Sequence, residues 1–327
     1  MRHRARRICL IVAFLLTLLA LIPFFCWMHL RGSLQEQTAA ERWRGNSEAK
    51  FAQISCFMDE SVGLAPEQEY SIRKNLEDAL AGGSGERWVM AMSGSCSVTA
   101  ARDSVQVAAR GICVSGSFYH FHPMQMVSGS WFDPGEVNRD GVVLDMQLAW
   151  KLFGGYDLQG MSITVDGVPV QIAGVARLPE TGIEHDIYGQ TPTLWLSMDL
   201  MDRLGFAPLA TCVEAVLPNP VSDYAAGILK GAVAFGDSGD MVENTGRFSL
   251  VKSLSVFLHP EERVVRTSRV AYPFWENAAR VAESRCGIYV ASMALLLLFP
   301  CAVCIYWLFH ALSWVRGRVR GLIKKRR

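Results

Sequence analysis

The chain has 327 residues, of which 50% are hydrophobic and 19% are charged, against about 25% charged residues in ordinary soluble domains. Its net charge of +1 is unevenly distributed along the chain. Residues 1–30 and 286–327 hold eleven basic side chains and no acid, which leaves a net charge of −10 on the residues between them. This pattern excludes a nucleic-acid-binding protein, whose folded domain carries the positive charge, and a soluble cytoplasmic protein.

Two uncharged apolar runs account for the composition. Residues 8–28 and 287–309 are each long enough to cross a hydrocarbon core of about 30 Å as a helix. A cleaved signal peptide is the alternative for the first run, but the run exceeds the roughly 7–15 apolar residues of such a peptide, so we favour an uncleaved anchor. The sequence therefore predicts transmembrane helices over residues 8–30 and 287–309.

Basic side chains flank the two predicted membrane helices. Four arginines lie in residues 1–7, and seven lysines and arginines lie in the tail, residues 310–327. The positive-inside rule then places both termini in the cytoplasm and the intervening segment outside the cell membrane. The tail mixes apolar and basic side chains, so it is either an amphipathic helix on anionic lipid or a flank that only fixes the topology.

The outer segment opens with a βαβ pattern. Residues 51–57 alternate like a half-buried strand, and Pro66 suits the first turn of a helix that ends near residue 80. Residues 87–93 then alternate like a returning strand.

A similar pattern recurs more than a hundred residues later. Residues 211–217 are a predicted strand, Asn219 and Pro220 are the predicted cap and first turn of a helix, and the return strand is 233–235 or 241–243. Two matching halves predict an α+β domain, with a split βαβ lobe and a mostly-β lobe inserted at about residues 97–205.

The inserted lobe carries the clearest local signals. Residues 141–144 are a predicted strand, and Asp145 is the predicted cap of a short helix that ends at Gly154. Residues 160–175 alternate on both sides of Asp166-Gly167, which predicts a hairpin with a two-residue turn.

A set of features occurs in a fixed order across residues 129–177. They are Gly129 with Phe132, Asp140, the strand 142–144, Ala149 with Leu152, Phe153 and Gly154, Gly160 with Ile163, a hairpin, and Gly174 with Val175. In this order and spacing they resemble the periplasmic core domain of MacB-like (FtsX-like) ABC transporter permeases. The position agrees, because in that family the domain directly follows the first membrane helix, and the predicted core domain here spans residues 31–270.

The resemblance implies a helical stalk between the core domain and the second membrane helix. We expect this stalk at residues 271–286, with Phe274, Trp275, Ala278 and Val281 as its coupling residues and Trp275 at the level of the lipid headgroups. An ordinary juxtamembrane linker is the alternative. In the family, hydrolysis on a cytoplasmic ATPase is transmitted through the helices as movement outside.

One departure from the family concerns the number of membrane helices. MacB-like permeases have four, whereas this sequence continues for only 18 residues after Phe309. The resemblance therefore implies a non-catalytic subunit that works with a cytoplasmic ABC-type ATPase and an additional permease subunit. The alternative is a stand-alone, membrane-anchored binding or sensing protein derived from the same domain.

No motif assembles a catalytic, cofactor or metal site. The sequence has no G-x-x-x-x-G-K-[ST] phosphate loop. Residues 236–240 resemble the nucleophile loop of chymotrypsin-like proteases, but the last of them, Asp240, is an acid where that loop has glycine. His120 and His122 share one face of a predicted strand, but neither a third ligand nor a cysteine pair is near, so a structural role is favoured. We therefore expect no enzyme and no cofactor.

Four of the nine cysteines lie in the predicted core domain. They are Cys56, Cys96, Cys113 and Cys212. Four cysteines allow three pairings, and the sequence does not select among them. Cys56 and Cys212 occupy matching strands of the two halves, which makes a bridge between them one candidate and free thiols the other.

Overall fold

The computed structural model describes residues 2–81, 87–132, 140–178, 182–188, 191–234, 239–259, 270 and 272–325. The helices in this part of the chain are α1 (Arg2–Ser33), α2 (Ala39–Arg44), α3 (Gln68–Leu80), α4 (Phe118–Phe121), α5 (Met146–Phe153), α6 (Ile183–Tyr188), α7 (Met198–Arg203), α8 (Tyr224–Val233), α9 (Leu250–Leu258) and α10 (Phe274–Lys325). The strands are β1 (Phe51–Met58), β2 (Val89–Arg102), β3 (Val105–Gly116), β4 (Gln125–Gly129), β5 (Gly141–Asp145), β6 (Ser162–Val165), β7 (Val168–Arg177), β8 (Thr193–Ser197), β9 (Cys212–Pro218) and β10 (Gly239–Glu243).

The chain forms two compact units. The core unit comprises Leu34–Arg247 and Val265–Val281, and the helical unit comprises Met1–Ser33, Phe248–Val264 and Ala282–Arg327. All ten strands belong to the core unit, whereas α1, α9 and most of α10 belong to the helical unit.

Among the described residues, two helices are long and apolar enough to cross a membrane. These segments are Arg4–Ser33 in α1 and Phe274–Arg316 in α10. The Arg6 guanidinium lies 3.8 Å from the centre of the Trp307 ring, so the beginning of α1 is beside the C-terminal half of α10. Both predicted membrane segments, 8–30 and 287–309, are helical.

The split lobe is built around β9. This strand pairs antiparallel with β1 on one side and with β2 on the other, so β1 and β2 are parallel and α3 connects them. After β9 the chain passes through α8 into β10, which is antiparallel to β1 and parallel to β9. The two βαβ halves therefore interleave in one sheet, which confirms the fold class predicted from the sequence.

Six strands of the inserted lobe form a closed circuit. In order round the circuit, β2 pairs with β3, β3 with β8, β8 with β5, β5 with β7, β7 with β6, and β6 with β2. The pairings of β3 with β8 and of β5 with β7 are parallel, and the other four are antiparallel. The β6–β7 hairpin turns at Asp166-Gly167, both with positive φ, as the turn chemistry predicts. The inserted lobe is therefore a small barrel, because a closed circuit removes exposed strand edges.

Separate apolar clusters cover the two faces of the sheet. One cluster includes Ile54 of β1 and is covered by α3 and α8, which contribute Leu76 and Leu229. The other cluster includes Phe118 of α4 and Trp275 of α10. The core unit is thus packed on both sides, and its second face receives the beginning of the last helix.

Two predicted elements of the split lobe differ from the structure, and the choice between two predicted positions for the return strand is resolved. The helix expected to begin at Asn219-Pro220 begins at Tyr224, because Asp223 adopts a left-handed conformation with φ of 65°, and the Asn219 carbonyl side chain accepts a hydrogen bond from the Ala225 amide at 3.2 Å instead. Strand β2 continues well beyond the predicted 87–93. The return strand is β10, which favours the second of the two predicted positions.

Of the two alternatives considered for Cys56 and Cys212, a bridge or free thiols, the structure has both thiols free. The strands β1 and β9 are neighbours, but Cys212 is paired with Phe57 rather than with Cys56. A shift of one residue turns a side chain to the opposite face, and Cys56 and Cys212 accordingly belong to the two different apolar clusters.

Replacement of Gly129 by alanine is expected to lower the free energy of unfolding by about 1–3 kcal/mol. Gly129 has φ of 67°, and a Cβ atom there would overlap the Ala173 carbonyl oxygen. Urea unfolding of the full chain in detergent, followed by circular dichroism, measures the change. Gly155→Ala is the matched control, since Gly155 follows α5 with nothing within 4 Å of an added Cβ and a φ outside the positive range. Equal effects of the two replacements would contradict this prediction.

Candidate functional site

The beginning of α10 lies inside the core unit, where the sequence predicts the stalk. Of the four predicted coupling residues, Trp275 and Ala278 are buried, whereas Phe274 and Val281 are half-buried. Residues 274–286 are helical and continuous with the following apolar segment. Residues 260–269 and 271 lie outside the described part of the chain.

Trp275 packs in the protein interior rather than at the level expected for lipid headgroups. Only 4% of its surface is exposed. The centre of its ring lies 4.4 Å from that of His122 and 5.8 Å from that of Phe118. The expectation that Trp275 marks the membrane interface is therefore corrected, because the aromatic cluster on the second face of the sheet accommodates this side chain.

Glu276 joins α10 to the core by a buried ion pair. Its two carboxylate oxygens accept hydrogen bonds from Nη1 and Nη2 of Arg247 at 2.7 and 2.8 Å. The exposed fraction is 1% for the Glu276 side chain and 3% for that of Arg247. One turn later, Nε of Arg280 donates to Glu276 at 2.7 Å and its Nη2 donates to Asp240 of β10 at 3.1 Å. A bidentate arginine–carboxylate pair fixes both distance and orientation, so the first turns of α10 are held in one position.

A chain of hydrogen bonds continues from Arg247 into the sheet. Nη1 of Arg247 donates to Oδ1 of Asn244 at 3.1 Å, and Nδ2 of Asn244 donates to Oγ of Ser55 at 2.8 Å. Ser55 of β1 then donates to Oε1 of Glu214 of β9 at 3.1 Å. Because all four side chains are buried, their contacts operate in a low-dielectric interior, where an unpaired polar group is costly.

The chain of contacts ends at His122, between two carboxylates. Nε2 of His122 is hydrogen-bonded to Glu214, and Nδ1 lies 3.3 Å from Oε1 of Glu36, an ion-pair distance without hydrogen-bond geometry. Glu36 lies just after α1. We call the residues Glu36, His122, Glu214, Ser55, Asn244, Arg247, Glu276, Arg280 and Asp240 the polar network. Over the described residues, this network connects the segment after α1 with the first turns of α10.

The two carboxylates keep His122 charged. Burial by itself lowers the pKa of His122, but the attraction of Glu214 and Glu36 outweighs it and raises the pKa from 6.5 to about 10. The folded protein therefore retains a proton that the unfolded chain releases near pH 6.5. The stabilisation is fully present below pH 6.5 and is lost as the pH rises towards 10.

We expect the free energy of unfolding to fall between pH 6.5 and 10, with a contribution from His122 of at most about 1.4 kcal/mol per pH unit. His122→Gln removes this contribution, so the curve of the variant is flatter in that range whatever its absolute stability. Urea unfolding at several pH values measures both curves. His259→Gln, at an exposed position, is the control and keeps the wild-type slope. An unchanged slope in His122→Gln would show that His122 does not hold the proton.

The other predicted histidine has a backbone partner. The sequence placed His120 and His122 on a strand, whereas His120 belongs to the short helix α4 and His122 follows it. The His120 ring lies 3.2 Å from the Ala39 carbonyl oxygen. Among the described residues, no group of three or more histidine, cysteine or acidic side chains is arranged to hold a metal ion.

Most of the residues that carried the family resemblance lie in the barrel, whereas Gly129 ends strand β4, which pairs with β7 outside the circuit. Phe132, Ala149, Leu152 and Val175 are buried, and Phe153 is partly buried. The remaining members of the motif shape the turns and the surface. Gly154 is the left-handed C-cap of α5, Gly160 has positive φ, Gly174 approaches the backbone of Ser128 closely, and Asp140 forms an exposed ion pair with Arg203.

The polar network as a unit is not predicted from the sequence, although two of its members, His122 and Asp240, are considered there for other roles. Two local features of the sequence point to this network. Glu214 is an acid inside an otherwise apolar strand, and Glu276 and Arg280 have the spacing of four residues that places them on one face of a helix. Of the protease-like segment, residues 236–238 lie outside the described part of the chain, and Asp240 binds Arg280 and Tyr272. The polar network consists of charges and hydrogen bonds that hold the first turns of α10 against the core.

The chain was compared with solved structures, curated proteins and protein families. The extracellular domain of the noncanonic ABC-type transporter YknZ from Gram-positive bacteria is 14% identical, with a TM-score of 0.42 over 58% of this chain and 99% of that one. The periplasmic region of MacB from Actinobacillus actinomycetemcomitans is 12% identical, with a TM-score of 0.44 over 65% of this chain and 94% of that one. No curated protein matches the sequence significantly. Residues 51–225, more than half of the chain, match the family described as MacB-like periplasmic core domain. The chain therefore belongs to the MacB-like periplasmic core domain family, which confirms the resemblance drawn from its sequence.

Proposed function

We propose that this protein is a non-catalytic membrane subunit of an ABC-type transporter, in which the core domain is coupled through the beginning of α10 to the membrane helices. The family and the two apolar helices support a membrane protein with an extracytoplasmic domain. The observation that carries the coupling is the buried pair of Arg247 and Glu276, because it fixes the first turns of a continuous 52-residue helix against the core.

The proposed partners are a cytoplasmic ABC-type ATPase and an additional permease subunit. The given sequence has no phosphate loop for ATP. In this proposal a separate ATPase chain supplies the energy for movement. In this proposal α10 carries the displacement between the membrane and the polar network. Membrane lipid surrounds the two spans.

The proposed orientation has both termini in the cytoplasm and the core domain outside. Two independent features support it: the basic residues beyond both apolar segments, and the contact of Arg6 with Trp307, which brings the beginning of α1 to the C-terminal half of α10. Protease added to whole cells is expected to digest the core and to spare epitope tags at both termini. A core that survives while the tags are lost would reverse the orientation.

Co-purification from gently solubilised membranes tests the transporter assignment. We expect an ABC-type ATPase and a second permease chain among the bound proteins. A matched variant replaces residues 287–309 by an unrelated apolar helix of the same length, which keeps the anchor but removes its specific contacts. This variant should lose both partners. The alternative has a different outcome. If neither partner binds the wild-type chain, and cells that carry the helix-replacement variant have the same phenotype as wild-type cells, the chain is instead a stand-alone binding or sensing protein.

A further inference from the structure

The structure selects one cysteine pair that the sequence leaves open. Cys96 of β2 and Cys113 of β3 have their Sγ atoms 3.6 Å apart. By contrast, Cys56 and Cys212 belong to apolar clusters on opposite faces of the sheet. Among the four cysteines of the core unit, Cys96 and Cys113 are therefore the pair whose sulfur atoms meet.

The strand register explains this proximity. In the antiparallel pairing of β2 with β3, Cys96 lies opposite Gly111 and Cys113 lies opposite Gly94. The cysteines are thus diagonal neighbours, two residues apart in register, and both point to the same face. Each faces a glycine, so no other side chain occupies the space between the sulfurs. A Cβ atom on Gly111 would approach Sγ of Cys96 to 2.9 Å, which shows how closely the thiol fills that space.

The two thiols differ in exposure and in acidity. Cys113 is 1% exposed, whereas Cys96 is half-buried and open to a reagent. The hydrogen bond from the Cys113 thiol lowers the pKa of Cys96, and the same contact together with burial raises the pKa of Cys113. Cys96 is therefore the side chain that ionises first and is accessible, and a thiolate is the attacking species in disulfide exchange.

We propose that Cys96 and Cys113 form an intramolecular disulfide between β2 and β3. This inference rests on the extracytoplasmic placement of the core in the proposed function, because disulfides persist outside the cytoplasm and thiols remain reduced within it. The oxidant is a disulfide of a thiol oxidoreductase or of a small thiol compound. The Cys96 thiolate attacks one sulfur of that disulfide and releases one thiol. Cys113 then loses its proton and displaces the second thiol, so one S–S bond forms, one breaks, and the two protons leave on the reduced oxidant.

The position of the bond suggests what it stabilises. Residues 89–93 of β2 pair with β9 in the split lobe, and residues 100–101 pair with β6 in the barrel. Cys96 lies between these two stretches, where β2 passes from one lobe to the other. The disulfide ties β2 to β3 at that junction and closes a short loop, which lowers the entropy of the unfolded chain.

Peptide mapping of the full chain tests the proposal. Cleavage after lysine and arginine leaves each of the four cysteines in its own peptide: 51–73, 88–102, 111–139 and 204–230. After equilibration with oxidised and reduced glutathione, we expect the linked species of 88–102 with 111–139, lighter by two hydrogen atoms than the two free peptides. Cys56→Ala/Cys212→Ala is the matched control and keeps this species, whereas Cys113→Ala yields a free, alkylatable 88–102.

A second arm uses protein acid-trapped directly from cells, where the same linked species is expected. Two free thiols in the glutathione buffer, or linkage of either peptide to 51–73 or 204–230, would overturn the pair itself. If the bond forms in the buffer but is absent in cells whose core is digested by external protease, the disulfide fails while the proposed orientation stands. If the bond is absent in cells and the core is also protected from external protease, the disulfide and the proposed orientation are both overturned.

Discussion

Replacement of Glu276 by glutamine is expected to lower the free energy of unfolding of the core by about 3–5 kcal/mol. The glutamine has the shape of the original side chain but no charge, so the Arg247 guanidinium, 3% exposed, loses the carboxylate that both its terminal nitrogens contact. Removal of one partner of a buried ion pair is costly because the remaining charge stays desolvated. Urea unfolding of the full chain in detergent, followed by circular dichroism, gives the change.

Glu77→Gln is the matched control for this prediction. Glu77 lies in α3 with an exposed side chain, and its replacement should change the free energy of unfolding by no more than about 0.5 kcal/mol. A double replacement, Arg247→Met with Glu276→Leu, should recover part of the loss, since it removes both members of the buried pair and Arg280 keeps its contact with Asp240. A change below about 1 kcal/mol in Glu276→Gln would mean that water reaches this pair and that it does not fix α10.

Trp275→Ala is expected to destabilise the core by about 3–5 kcal/mol, the usual cost of a large aromatic side chain removed from a packed interior. Trp275 is 4% exposed and packs against His122 and Phe118. The same replacement would cost little if the side chain were located among lipid headgroups. The measurement is again urea unfolding of the full chain.

Trp150→Ala provides the comparison for Trp275. Trp150 is 58% exposed on α5 and has a ring contact with Tyr156 at 5.7 Å. We expect its removal to cost less than about 1 kcal/mol. Equal costs for the two tryptophans would show that the beginning of α10 is not seated in the aromatic cluster of the core.

The sequence predicts those elements whose signals are local. The β6–β7 hairpin follows from the Asp166-Gly167 turn, and α5 follows from Asp145 at its beginning and Gly154 at its end. In the structure Asp145 accepts the Leu148 amide at 2.6 Å, as a capping side chain does. Such signals depend on a few neighbouring residues and need no knowledge of the rest of the chain.

Non-local pairing is what the sequence does not reveal. Nothing near residue 212 indicates that β9 lies between β1 and β2, or that Cys212 is paired with Phe57 rather than Cys56. The same holds for the polar network, since Arg247 and Glu276 are 29 residues apart and their match depends on how α10 meets the sheet. The position of Trp275 is misjudged for a related reason: a tryptophan near a membrane helix is common at the interface, and only tertiary packing shows that it is buried.

Strands β2 and β3 belong to the barrel, and β2 also pairs with β9 in the split lobe. A fragment limited to residues 97–205 would therefore begin after the stretch of β2 that pairs with β9, and would cut β2 within its pairing with β3. Because β2 is paired in both lobes, the barrel cannot unfold without disrupting the sheet of the split lobe. The core should consequently unfold in a single cooperative transition, and engineered exchanges between relatives should transfer the complete core rather than the insert.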